Sequence, residues 1–166
     1  MFNAIQLAGY IIEYYQDKFG QPISSIKLQK TLYFLFAFWG GFIRKCHDSK
    51  DSVEQVIEEN EKLFDDKIEA WVYGPVVPNV FVAYKNKTIE QIYKGKEKLF
   101  NDMDPIVKNT IDGMLEDILP VSDFKLVSIS HEDKCWLNNF DVTATKHHNE
   151  ISKESIISEY ATRALI

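Results

Sequence analysis

The residues of this chain whose types could do chemistry lie close together in "SISHEDKCW", where Ser128, Ser130, His131 and Cys135 share one short segment. A serine or cysteine beside an oriented histidine is the nucleus of nucleophilic catalysis. His131 and Cys135, four apart, together with the adjacent pairs Cys46-His47 and His147-His148, are the candidates for metal ligation. None has the paired spacing of a structural zinc site. No Gly-rich elbow accompanies the Ser-His segment, and the chain has neither GxGxxG nor a Walker-type loop. These side chains therefore read as ordinary loop, surface or core residues, with no metal and no cofactor expected. The enzyme reading that remains open uses His131 with Glu69 or a nearby Ser as acid-base or nucleophilic partners.

A second set of candidates is aromatic. Tyr33, Trp71, Tyr73 and Trp136 stand beside polar residues instead of in the middle of apolar stripes. Such rings either pack at the rim of a core or anchor a protein partner. Two of them belong to "WVYGPVVP", residues 71 to 78, which reads as a strand, a tight reversal and a helix start.

The elements that must position these residues follow from periodicity. Ile5, Ala8, Ile12, Tyr15 and Phe19 fall on one face of a first helix, stopped by Gly20 and Pro22. Ser24 or Ser25 caps a second helix in which Leu28, Leu32, Leu35, Phe36, Trp39, Phe42 and Ile43 form one stripe and Phe34 and Phe38 another. A helix apolar on more than one side belongs in the middle of the fold. Gly40-Gly41 is expected to bend or end it, with "KCHDSKD" as a polar loop and Ser52 opening a third, acidic helix. The period then changes to two: Ile68, Ala70 and Val72 alternate with Glu69, Trp71 and Tyr73, a short hairpin whose turn chemistry comes from Asp65-Asp66 and whose strand ends at Gly74-Pro75. Pro78 and Asp104-Pro105 begin further helices, "SDFKLVSISH" is ambiguous between helix and strand, and Ser152 caps the last helix with Ile151 and Ile156 as its hydrophobic staple.

Composition bounds the function. With 166 residues, 45% of them hydrophobic, and no repeat or linker, the chain is expected to form one mainly α domain, a single compact helical unit over residues 1–166 with a small β-hairpin. A net charge of -6 and no run of Lys or Arg disfavour nucleic acid. Two distant cysteines and an N-terminus without a basic n-region suggest a reducing, cytoplasmic compartment. The longest uncharged stretch, Thr31 to Ile43, falls short of the ~20 apolar residues that cross a bilayer, so no membrane partner is expected.

Three blocks together resemble the Panacea domain, the SocA-like antitoxin family also met in phage-associated proteins. They are "ISSIKLQKTLYFLFAFW" (23 to 39), "LFDDKIEAWVYGPVVPNVFVAYK" (63 to 85) and "LVSISHEDKCW" (126 to 136), and their order and rough spacing also fit. The match falls on Lys27, Leu28, Gln29, Lys30 and Tyr33 in the first block, on Glu69, Ala70, Trp71, Tyr73, Gly74, Pro75, Val76 and Pro78 in the second, and on Ser130, His131 and Trp136 in the third. Residues 44 to 62 are longer than the family's usual link.

The resemblance implies a mainly helical, non-enzymatic antitoxin without a cofactor. Its partner would be a cognate toxin, neutralised by direct binding within a two-gene toxin-antitoxin system often carried by prophages. Masking of the toxin and delivery to a cellular protease both stay open, as does a DNA-binding regulator, which an acidic chain makes the weaker alternative. Packing of the second and third blocks against the start of the second helix is expected, with Gln29, Tyr33, Tyr73 and His131 in one polar-aromatic cluster and Pro75 and Pro78 fixing the loop around it.

Overall fold

The computed structural model describes residues 1–49 and 61–163. Among these, the chain is mainly α-helical, with one small antiparallel hairpin. The helices are α1 (Ala4–Phe19), α2 (Ser25–Ser49), α3 (Pro78–Lys85), α4 (Ile89–Ile92), α5 (Lys96–Leu99), α6 (Pro105–Ile118), α7 (Asp123–Ser130), α8 (Lys134–Leu137) and α9 (Lys153–Ala161); the strands are β1 (Glu69–Trp71) and β2 (Gly74–Val76). No helix among the described residues is long and apolar enough to cross a membrane.

Helix α2 is the axis of the fold. Its two apolar stripes leave it little solvent-facing surface, and it packs against α1, α3, α6, α7, α9 and β2. Leu28, Leu32, Leu35, Phe36 and Ile43 have no exposed surface. Ser24 caps α2 by accepting from the Lys27 N–H at 2.9 Å. The helix does not end at Gly40-Gly41 but runs on through the expected loop to Ser49. The two glycines instead admit α9: a Cβ on Gly40 would lie 2.6 Å from Ile157 Cγ1, and one on Gly41 would lie 2.8 Å from the Tyr160 backbone. Beyond them Arg44 reaches both Glu61 and Glu154 at 2.6 Å, so the polar tail of the helix is held by ion pairs across the fold. The acidic helix expected from Ser52 lies outside the described residues.

Helix α1 turns a different face inward from the one its spacing suggested. Ala4, Leu7, Ala8 and Ile11 are buried, whereas Ile5, Ile12 and Tyr15 are half-buried and Phe19 is 36% exposed. Both faces are apolar, so periodicity alone could not choose between them. The cap residues fare better. Gly20 ends α1 in the left-handed region, Asp104 and Ser122 cap α6 and α7, and Ser152 caps α9 above fully buried Ile151 and Ile156. The ambiguous segment after Ser122 is therefore helical. The one-turn helices α4, α5 and α8 are too short to leave a period in the sequence.

The hairpin is displaced by one strand from its expected position. Glu69 pairs with Val76, Ala70 with Pro75 and Trp71 with Gly74, so Gly74-Pro75 belongs to the return strand and the turn is Val72-Tyr73. Pro75 is tolerated because it faces Ala70 in a pair that exchanges no ladder bonds; the Ala70 N–H points the other way, to Asn149 O at 2.9 Å. Asp65-Asp66 makes no hairpin turn. The Asp66 carboxylate accepts instead from the Ala4 N–H and from Asn79 Nδ2, tying the start of α1 to α3.

Candidate functional site

The hairpin is held by side chains from α2, α8 and the end of α7 and, along β1, by the backbone of residues 149–151, and its construction begins at Gly74. This residue has φ 93°, a backbone region L side chains rarely adopt, and a Cβ here would fall on Ser130 Oγ and 3.0 Å from Lys30 Nζ. The return strand can therefore lie directly on α2 and α7. Its outer edge, which would otherwise present unpaired backbone groups, is met by the first turns of α2. The Val77 N–H donates to Gln29 Oε1 at 2.8 Å, Gln29 Nε2 donates to Val77 O, and Lys30 Nζ donates to Pro75 O. Gln29 and Lys30 thus act in place of a third strand. Lys30 is 1% exposed, and burial pushes its ammonium down to about 7.

The tip is fixed from the opposite side. Trp136 Nε1 donates to Trp71 O at 2.9 Å, and His131 Nε2 lies 3.0 Å from Val72 O, which as a carbonyl can only accept, so Nε2 carries the proton. The two rings stack at 4.2 Å, and Trp136 stacks in turn on Phe140 at 4.6 Å. With the backbone so engaged, the side chains of Val72 and Tyr73 project outward, 60% and 55% exposed. They rim an apolar depression of about 90 Å³ lined also by Ile26, Trp71, Val76 and Phe81. Trp71 stands between Phe81 and His148, with its Nε1 donating to the Glu69 carboxylate at 2.9 Å.

Behind the tip lies a polar centre that sequence reasoning missed. Asp133, with no exposed surface, accepts at Oδ2 from the phenols of Tyr33 (2.5 Å) and Tyr160 (2.8 Å) and at Oδ1 from Arg163 (2.7 Å). Burial raises both phenols well above their ordinary range, so they remain donors. The one-turn helix α8, which carries Trp136, has the N–H groups of Lys134 and Cys135 capped by the Glu159 carboxylate of α9, each at 2.9 Å. Burial alone would raise that carboxyl, but these N–H groups outweigh it and hold it below its ordinary value. The only sequence signal for the centre was an Asp, a capping type, two residues before "CW".

The structure brings Gln29, Lys30, Glu69, Trp71, Tyr73, Gly74, Pro75, His131 and Trp136 together in and around one hairpin. Lys27, Tyr33 and Pro78 lie apart from it. Lys27 pins the α6–α7 connection through Leu119 O, Val121 O and the Asp123 carboxylate, and Pro78 starts α3. The single cluster expected of Gln29, Tyr33, Tyr73 and His131 does not form. Gln29 bonds Val77, Tyr33 bonds Asp133, His131 bonds Val72, and the Tyr73 side chain faces solvent. The reason is local geometry: Gln29 and Tyr33 lie a full turn apart on α2, and the hairpin covers only the first of them. Gln29, Lys30, Tyr33 and Trp136 are at most 6% exposed, so in this conformation they chiefly support a surface, Gln29 and Lys30 reaching it only where they line the depression.

The acid-base grouping of the enzyme alternative is not assembled. His131 is engaged by a carbonyl, Glu69 by the Trp71 indole, and Ser130 Oγ donates to Val127 O at 2.8 Å. Burial pushes the Cys135 thiol up to about 12, away from nucleophilic character. Among the described residues no three His, Cys, Asp or Glu side chains converge as a metal site.

A family model described as antitoxin SocA-like, Panacea domain, matches residues 52–137, more than half of the chain. The chain belongs to this antitoxin-like family. The matched span contains the hairpin, His131 and Trp136, whereas Gln29 and Lys30, which complete the hairpin, lie before it. No curated protein and no solved structure matches the chain.

Proposed function

We propose that this protein is an antitoxin that neutralises a cognate toxin by direct protein-protein binding, and that residues 1–166 act as a single domain in doing so. Family membership supplies the class. The observation that carries the reading is the hairpin tip, whose backbone is fixed from three helices while two apolar side chains, Val72 and Tyr73, stand outside beside an apolar depression. A preorganised apolar projection loses little conformational freedom when a partner closes on it. Side-chain recognition suits this site better than strand addition, because Gln29 and Lys30 occupy the edge of β2 and the 149–151 segment occupies that of β1.

The test is co-expression with the products of adjacent genes. One of them should arrest growth when produced alone and cease to do so with this chain, and purified Tyr73→Ala should bind that product with an affinity about tenfold or more below the parent's. Rescue by no neighbouring pair removes the antitoxin reading. Full neutralisation by Tyr73→Ala and Val72→Ala together moves the binding surface elsewhere. Toxin abundance in the rescued cells separates masking, which leaves it unchanged, from delivery to a cellular protease, which lowers it.

A further inference from the structure

The α7–α8 corner has a construction that packing alone does not require. Its two ring N–H groups are both spent on consecutive carbonyls of the hairpin tip, those of Trp71 and Val72. The rings that carry them are stacked at 4.2 Å and 19°, so each fixes the plane of the other. The helix bearing Trp136 has a single turn and cannot orient itself. Its first N–H groups are held by Glu159 and the preceding Asp133 by Tyr33, Tyr160 and Arg163, so its placement is dictated from α2 and α9. A continuous set of bonds therefore runs from α9 through α8 to the tip.

We propose that His131 and Trp136 are positioning residues for toxin recognition: they hold the carbonyls of Trp71 and Val72 so that Val72 and Tyr73 are presented in one orientation, and Glu159 sets Trp136 by capping α8. Neither His131 nor Trp136 contacts the partner in this scheme. Their contribution is to confine the tip before it binds. The proposal rests on the reading of the tip as the toxin-binding surface, but its first measurement needs no toxin.

Amide hydrogen exchange of the isolated protein reads the tip directly. In Trp136→Phe, which keeps a stacking ring and removes the donor, exchange at Trp71 and Gly74, the pair that closes the hairpin, should rise about tenfold or more while buried amides of α2 keep parent rates. His131→Ala should loosen the same amides, and His131→Gln, which can still donate to Val72 O, should restore part of their protection. Glu159→Gln retains acceptor oxygen without charge and should increase tip exchange less than Glu159→Ala. Should Trp136→Phe fail to fold, the two Glu159 variants carry the test, read on the tip and on the Trp136 indole N–H. Unchanged tip exchange in the folded variants overturns the proposal. With the growth-arresting neighbour as probe, affinity should fall in the order of tip exchange, and a loosened tip that binds it as tightly as the parent overturns the link to recognition. If no neighbouring product binds the parent while the tip responds as described, it is the antitoxin reading that fails and the positioning that stands.

Discussion

Gly74 and Lys30 meet at the base of the hairpin, and each gives a measurable consequence. Gly74→Ala forces an L residue to φ 93° and drives a methyl group into Ser130 Oγ. The backbone term alone is worth about 1–3 kcal/mol, so the midpoint of urea unfolding should fall with the slope unchanged. For Lys30, the folded value of about 7 lies below the ordinary 10.5, with burial the cause. Between those values the unfolded chain holds a proton that the folded chain does not, so stability rises with pH. The slope approaches about 1.4 kcal/mol per pH unit from pH 7 upward, and the contribution is constant below that. Denaturant titrations between pH 7 and 9 should show this rise in the parent, and Lys30→Met should flatten it. A parent curve as flat as the variant's would mean that Lys30 is hydrated or charge-paired in solution. Both residues stood in recognisable motif blocks, but their chemistry was not legible there. A lysine two residues from Leu28 and Leu32, off their apolar stripe, looks like a solvated charge until the hairpin closes over it.

Helix α2 shows how elements can be read correctly in type and wrongly in extent. Gly40-Gly41 suggested an end because glycine weakens a helix by roughly 0.5–1 kcal/mol relative to alanine. That cost is offset by close approach of α9, which an ideal Cβ on either glycine would obstruct. The same substitution should therefore have opposite signs at two helical positions. Gly41→Ala must push back the Tyr160 backbone and should destabilise by about 1–3 kcal/mol. Gly113→Ala, on the exposed side of α6 with open space around it, should stabilise by about 0.5–1 kcal/mol. Thermal melts of the pair decide whether helix propensity or helix-helix contact governs α2. A stabilised Gly41→Ala would show that α9 packs less closely than described. The cap residues needed no such test of context, because a side chain bonding an N–H two or three residues ahead is a local event that sequence reports directly.

At the scale of the molecule, Asp133 joins α2, α8, α9 and the Arg163 turn through one carboxylate. Asp133→Asn removes the charge that Arg163 faces and one acceptor of two phenols, and should cost roughly 3 kcal/mol in equilibrium unfolding. A loss no larger than that of Arg163→Ala would reduce the centre to a surface ion pair. The sequence by itself determined the helical class, the caps, the presence of a hairpin near "WVYGP" and the family, which is matched over residues 52–137, since all of these depend on residues near one another along the chain. It also marked the residues that later meet at the hairpin. Only the tertiary structure decided which of them face outward. Tyr73 is exposed and Tyr33 buried although both are tyrosines flanked by motif residues, because the hairpin tip projects past the helices while the Tyr33 turn of α2 lies beneath α9. Asp133, Glu159 and Arg163 escaped the sequence for the same reason. Their meaning lies in bonds between residues 24 to 100 positions apart, and burial makes those bonds obligatory only once α9 has docked on α2.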